Sequence, residues 1–185
     1  MGSLDYWLDA EDRILRVSDS WDSFAVENGG SGAREQFISG RVLWDFIGND
    51  EVRRYLNAVF FAVRKWGHPI TLPVRCDSPD EARHLDMTVA PLANGGLHVA
   101  HQQNANRVFA HGAATPPGDA RCVVCSTPQP QAAGTQAMIE TRAGDTVCGP
   151  CRRHAADTIA QVRTNWDGGQ PILSLARAQT VGQRG

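Results

Sequence analysis

The sequence predicts an α+β protein built in two unequal parts. Three observations carry that expectation. A helical apolar stripe over residues 50–66 is followed by three runs of apolar–polar alternation. Further on, Cys122-Val123-Val124-Cys125 and Cys148-Gly149-Pro150-Cys151 stand twenty-two residues apart. Between these regions lies a small, polar stretch with Ala113-Ala114-Thr115-Pro116-Pro117-Gly118 at its centre, which reads as a linker. The expected units are residues 5–104, a linker over 105–119, a cysteine module over 120–167 and a tail over 168–185.

Taken in order, Trp7-Leu8 and Ile14-Leu15-Arg16-Val17 read as short strands around the polar turn Asp9-Ala10-Glu11-Asp12. Ser18 or Asp19 is placed to N-cap a short helix carrying Trp21, Phe24 and Ala25, which ends near Asn28-Gly29-Gly30. Leu43, Phe46 and Ile47 suggest one further helical turn. Asn49 or Asp50 opens the long helix. Its residues Val52, Leu56, Val59, Phe60, Val63 and Trp66 share one face, Gly67 caps its end and Pro69 prevents its return. Three strands follow: Ile70, Leu72, Val74 and Cys76; then Leu85, Met87 and Val89; then Leu97 and Val99. Period two marks a sheet with one buried face. His84, Asp86, Thr88, His98 and Ala100 fall on its other side, a mostly polar surface.

With 42% hydrophobic and 21% charged residues and a net charge of −2, the composition is that of an ordinary globular protein. The first 104 residues carry 15 acids and 10 Lys/Arg, the rest 5 acids and 8 Arg. That basic surplus is too thin to indicate nucleic-acid binding by itself. No apolar run approaches the ~20 residues of a membrane span, and Met1-Gly2-Ser3-Leu4-Asp5 lacks the features of a signal peptide. A cytoplasmic protein without membrane contact is expected, with its cysteines reduced and free to bind metal.

The first hundred residues resemble the PAS sensor family. The resemblance rests on Arg13-Ile14-Leu15-Arg16-Val17-Ser18-Asp19-Ser20-Trp21, on Ile38-Ser39-Gly40-Arg41-Val42-Leu43-Trp44-Asp45-Phe46-Ile47, on the amphipathic helix and on the closing three strands. It implies a five-stranded antiparallel sheet with helices on one face, and a pocket between them that senses a small ligand or a surface that mediates dimerisation. Cys76, His101, Met87 and Phe60 are the candidate pocket residues. The flavin-binding Gly-x-Asn-Cys-Arg-Phe-Leu-Gln pattern of photosensing relatives is absent, and residues 50–66 offer no histidine for haem iron. The identity of any pocket ligand is left open.

Paired C-x-x-C knuckles at this separation suit one Zn²⁺ in a tetrahedral shell of four sulfurs: Cys122, Cys125, Cys148 and Cys151. Four thiolates leave no open position, so the ion is expected to be structural, one per chain. The module has little apolar mass of its own, namely Met138, Ile139, Val147, Ile159, Val162 and Trp166. A structural zinc supplies on the order of 10 kcal/mol or more. A hairpin about Ala143-Gly144 and a helix from Cys148, with Ala155, Ile159, Val162 and Trp166 on one face, would make the segment resemble a treble-clef zinc finger. His154 is an alternative ligand.

No Walker loop, GxSxG or HExxH motif is present. The leading expectation is a non-enzymatic regulator: a PAS module joined to a zinc module that contacts a protein partner or a second copy. One alternative is a nucleic-acid-binding regulator using Arg142, Arg152, Arg153 and Arg163. Another is a thiol redox sensor or oxidoreductase using Cys148 and Cys151, because Cys-Gly-Pro-Cys is also the tetrapeptide of thioredoxin-like enzymes.

Overall fold

Period-two alternation becomes one antiparallel sheet. The computed structural model describes residues 3–75, 83–103, 122–125 and 147–165. Within them run β1 (Leu4–Leu8), β2 (Ile14–Val17), α1 (Trp21–Glu27), α2 (Glu35–Ile38), α3 (Asp50–Trp66), β3 (Ile70–Arg75), β4 (His84–Pro91), β5 (Leu97–Gln103) and α4 (Gly149–Thr164). The strands lie in the order β2-β1-β5-β4-β3, every neighbouring pair antiparallel. The first and last strands of the PAS-like unit thus pair at the centre, Tyr6 opposite Val99 and Leu8 opposite Leu97. The chain is an α+β protein with a PAS-like five-stranded sheet, helices on one face and a small four-cysteine module.

One face of the sheet is dry. Tyr6, Leu8, Ile70, Leu72, Met87, Val89, Leu97 and Val99 form a single core with Leu56, Val59, Phe60, Ala62 and Val63 of α3. The helix starts and stops where its chemistry dictates. The Asn49 side chain accepts from the amides of Glu51 and Val52, and Gly67 ends the helix in the left-handed conformation at φ 66°. At the hairpin between β4 and β5, a Cβ on Gly96 would stand 2.7 Å from the Leu8 carbonyl oxygen, so only glycine lets that turn approach β1.

Two local expectations are corrected. The cap residue of α1 is Ser20, and it makes no side-chain cap bond. The Ser18 and Ser20 hydroxyls instead donate to the Ser3 carbonyl, and the Asp5 amide donates to Ser18 Oγ. These serines fasten the start of β1, which begins at Leu4, three residues before the predicted strand. Asp12 is also more than a turn residue. It is buried at φ 61°, accepts from Trp44 Nε1 at 2.8 Å, and pairs with Arg64 at 2.6 Å. Arg64 further donates to the carbonyls of Asp9 and Gly95, so one α3 side chain fastens two turns.

On the open side of the sheet, Trp7 stacks on His98 with ring centroids 4.6 Å apart, and the Arg16 guanidinium lies 3.6 Å from the Trp7 ring centroid. His98 also meets Asp5 at 3.0 Å. This aromatic stack joins the otherwise polar side chains expected there.

Arg64→Ala leaves the buried Asp12 carboxylate without its cation. A loss of ~3 kcal/mol is expected, measured by urea denaturation.

Candidate metal centre

The two cysteine pairs reach one point by different local means. Residues 123–125 form a turn that brings Cys122 and Cys125 together. The second pair straddles a helix start: Cys148 is the cap residue of α4, Pro150 sits in the first turn and Cys151 follows. All four Sγ atoms lie within 4.8 Å of one another. Cys125 and Cys148 Sγ are 3.7 Å apart. A tetrahedron of sulfurs about 2.3 Å from zinc has edges of about 3.8 Å, so the residues present fit such an ion.

The surroundings also favour thiolates. The amides of Val124 and Cys148 donate to Cys122 Sγ at 3.4 and 3.3 Å. The positive end of α4 opens at Cys148, which stabilises nearby negative charge. Burial pushes the Cys148 and Cys151 thiols up. A cation placed among the sulfurs offsets that penalty by taking the place of their protons. His154 lies on the exposed side of α4 and is not part of the cluster.

This centre sits on the PAS-like unit. The Arg75 amide, at the end of edge strand β3, donates to the Val123 carbonyl at 2.9 Å. Ala155 is buried in the main core, with Ile159 and Val162 packed against it. The apolar face of α4, expected to serve its own module, therefore meets α3. Arg152 donates to the Val147 carbonyl at 2.7 Å and pairs with Glu51 of α3 at 2.5 Å. Tyr55 packs against both the main core and the cysteine cluster. Burial, then the sulfurs of Cys151 and Cys122, hold its phenol well above the ordinary range. A cleft of about 240 Å³ lies between α3 and α4, lined by Glu51, Arg54, Tyr55, Val147, Arg152 and Ile159 among others.

The candidate pocket residues divide differently. Phe60 and Met87 are buried in the main core. His101 stands opposite Met87 in the strand register, 5.8 Å from the Tyr6 ring. Its Nδ1 is 3.1 Å from the Leu4 carbonyl oxygen. Burial holds its pKa down, against the opposing pull of the Leu4 carbonyl and Asp5. Cys76 lies outside the described residues, as do Arg142, Trp166, the Ala143-Gly144 hairpin and the linker. Sequence reasoning missed Glu51 and Tyr55. Tyr55 carried a signal, a tyrosine beside the apolar stripe of the long helix.

No family model and no curated protein matches the chain. Among solved structures it is similar to the PAS domain of the Cronobacter turicensis RpfR quorum-sensing receptor in complex with BDSF. There the identity is 13%, over 56% of this chain and 94% of that one, with a TM-score of 0.43. A Vibrio cholera VqmA–ligand–DNA complex is similar at 15% identity over 63% of this chain and 56% of that one, with a TM-score of 0.45. The PAS domain of Bordetella pertussis BvgS is similar at 14% identity over 56% and 73%, with a TM-score of 0.37. Among the described residues, no helix is long and apolar enough to cross a membrane.

The half-buried imidazole of His101 ties stability to pH. Its folded pKa lies below the ordinary value near 6.5, so the unfolded chain binds the proton first. Stability is fully present above that value and falls as pH drops below it. Thermal melts of His101→Gln should show a shallower loss between pH 7 and 5 than the unsubstituted chain.

Proposed function

We propose that the chain is a non-enzymatic regulatory protein in which a structural Zn²⁺, one per chain, fastens a C-terminal helix to the long helix of a PAS-like sensory unit. The observation that carries this reading is the position of the four sulfurs. They converge at the junction of the β3 end, α3 and the start of α4. The ion would be held by Cys122, Cys125, Cys148 and Cys151. It supplies electrostatic crosslinking, with no open coordination position for catalysis.

Magnitudes favour a metal clamp over packing alone. α4 has 16 residues, near the length at which isolated helices are marginal. It buries one alanine and parts of Ile159 and Val162 against the main core, worth roughly 3 kcal/mol. The Arg152–Glu51 pair is half exposed and adds at most about 1 kcal/mol. Four zinc–sulfur bonds supply several times as much.

In this proposal the units 5–104 and 120–167 signal through a shared surface. A change in the sensory unit that moves α3 alters the seat of α4 and hence what it offers to a protein partner or a second copy. A reducing compartment such as the cytoplasm suits the thiolates. The nucleic-acid alternative draws less support, because Arg152 is engaged by Glu51 and the Val147 carbonyl. The oxidoreductase alternative requires Cys148 and Cys151 to act as an independent pair, whereas they share one cluster with Cys122 and Cys125.

Native mass spectrometry of the chain purified without added metal tests the reading. The expected mass is that of the chain plus one zinc less the displaced protons. Cys122→Ser and Cys148→Ser should each lose that zinc. A metal-free, fully folded chain would sink the proposal.

A further inference from the structure

The docking of α4 leaves a cleft of about 240 Å³ against α3. It is separate from the space between α3 and the sheet, which Leu56, Val59, Phe60 and Val63 fill by packing on the strands. Other α3 residues, Glu51, Arg54 and Ala58, line the cleft. Its inner part is apolar: Tyr55, Ala155 and Ile159 line it and are buried or half-buried. Arg54 and Arg152 also line it but are exposed, and they mark its mouth. The charges there do not balance. Arg152 is answered by Glu51 and by the Val147 carbonyl. Among the described residues, the Arg54 guanidinium reaches only the Asp50 carbonyl of its own helix, through Nε at 3.2 Å. Other arginines of α3 differ: Arg53 donates to the carbonyls of Ile47 and Trp44, and Arg64 pairs with Asp12. The terminal nitrogens of Arg54 therefore stand at the cleft with no acceptor among the described residues.

We propose that this cleft binds a small amphipathic monocarboxylate, with its carboxylate on Arg54 and its apolar body over Ala58 toward Ala155 and Ile159. A guanidinium presents a planar fork that matches a carboxylate. The apolar lining rewards a hydrocarbon body. The volume lies below the roughly 300–1,000 Å³ of drug-sized sites, and suits a ligand of about ten heavy atoms. A cationic amphiphile would set its charge against Arg54, and a diacid would bring its second charge to the apolar end. The inference goes beyond the zinc reading, because the cleft exists wherever α4 is seated on α3, whatever seats it. A ligand touching both helices would favour the seated state, so its binding and the seat of α4 are linked.

The test is a titration of the full chain with octanoate, followed by amide NMR, with zinc content determined on the same sample by native mass spectrometry. Saturable shifts are expected at the lining residues of α3 and α4. Octylammonium, of the same length and opposite charge, should not produce them. Arg54→Gln should weaken octanoate binding roughly tenfold. Ala58→Leu, at an exposed helical position that leucine suits, fills the cleft and should abolish the shifts without lowering the melting temperature. A zinc-loaded chain with no saturable shifts at these residues would overturn the inference and leave the zinc reading standing. Shifts that both variants leave unchanged, or that centre on Met87 and His101 instead, would overturn it as well. A chain without zinc that shows the shifts and their dependence on Arg54 would sink the zinc reading and uphold this one. A chain with neither zinc nor shifts would overturn both.

Discussion

The convergence of four sulfurs on one point is the constraint from which the rest of the architecture takes its meaning. Two of them come from a turn hydrogen-bonded to the end of β3, and two from the first turn of α4. Apart from a metal, the described residues hold α4 in place by hydrophobic contact, a half-exposed ion pair and hydrogen bonds at its start. None is large against the roughly 1–2 kcal/mol per residue that ordering a backbone costs. Crosslinking by an ion would change that balance, fixing the helix start and giving its short apolar face a single place to dock.

The PAS-like sheet supplies the platform. β1 and β5 pair at its centre and α3 crosses its dry face, so α3 has one side in the core and its flank free to receive another element. Arg64 secures α3 to the turns at one end of the sheet through Asp12, Asp9 and Gly95. Glu51 and Tyr55, nearer its beginning, meet the cysteine module. One helix therefore touches the turns of the sheet, the core and the cysteine cluster. A rigid element with contacts at both ends can transmit a displacement from one to the other.

Much of this was legible in the sequence because it is local. Asn49 before an acidic first turn and Gly67 after Trp66 fixed the bounds of α3, since capping chemistry acts within a few residues. Alternation located β3, β4 and β5. The cysteine spacing located the four-sulfur cluster. What was hidden depends on distant partners. Asp12 reads as an ordinary turn residue until Arg64, fifty-two positions away, arrives beside it. Ser18 reads as a cap because nothing local tells it that Ser3 will lie within reach. Periodicity revealed that Ala155, Ile159 and Val162 share a face, yet it could not say which surface that face would cover. It covers α3, where Tyr55 packs against both the main core and the cysteine cluster.

The most direct test of the clamp is hydrogen–deuterium exchange of the full chain, compared before and after metal removal by a chelator under reducing conditions. The account predicts that removal opens the amides of α4 and the Arg75 amide to rapid exchange, while β1 and β5 stay protected. Protection of α4 that is identical with and without metal would show that packing alone seats the helix, and would contradict the account.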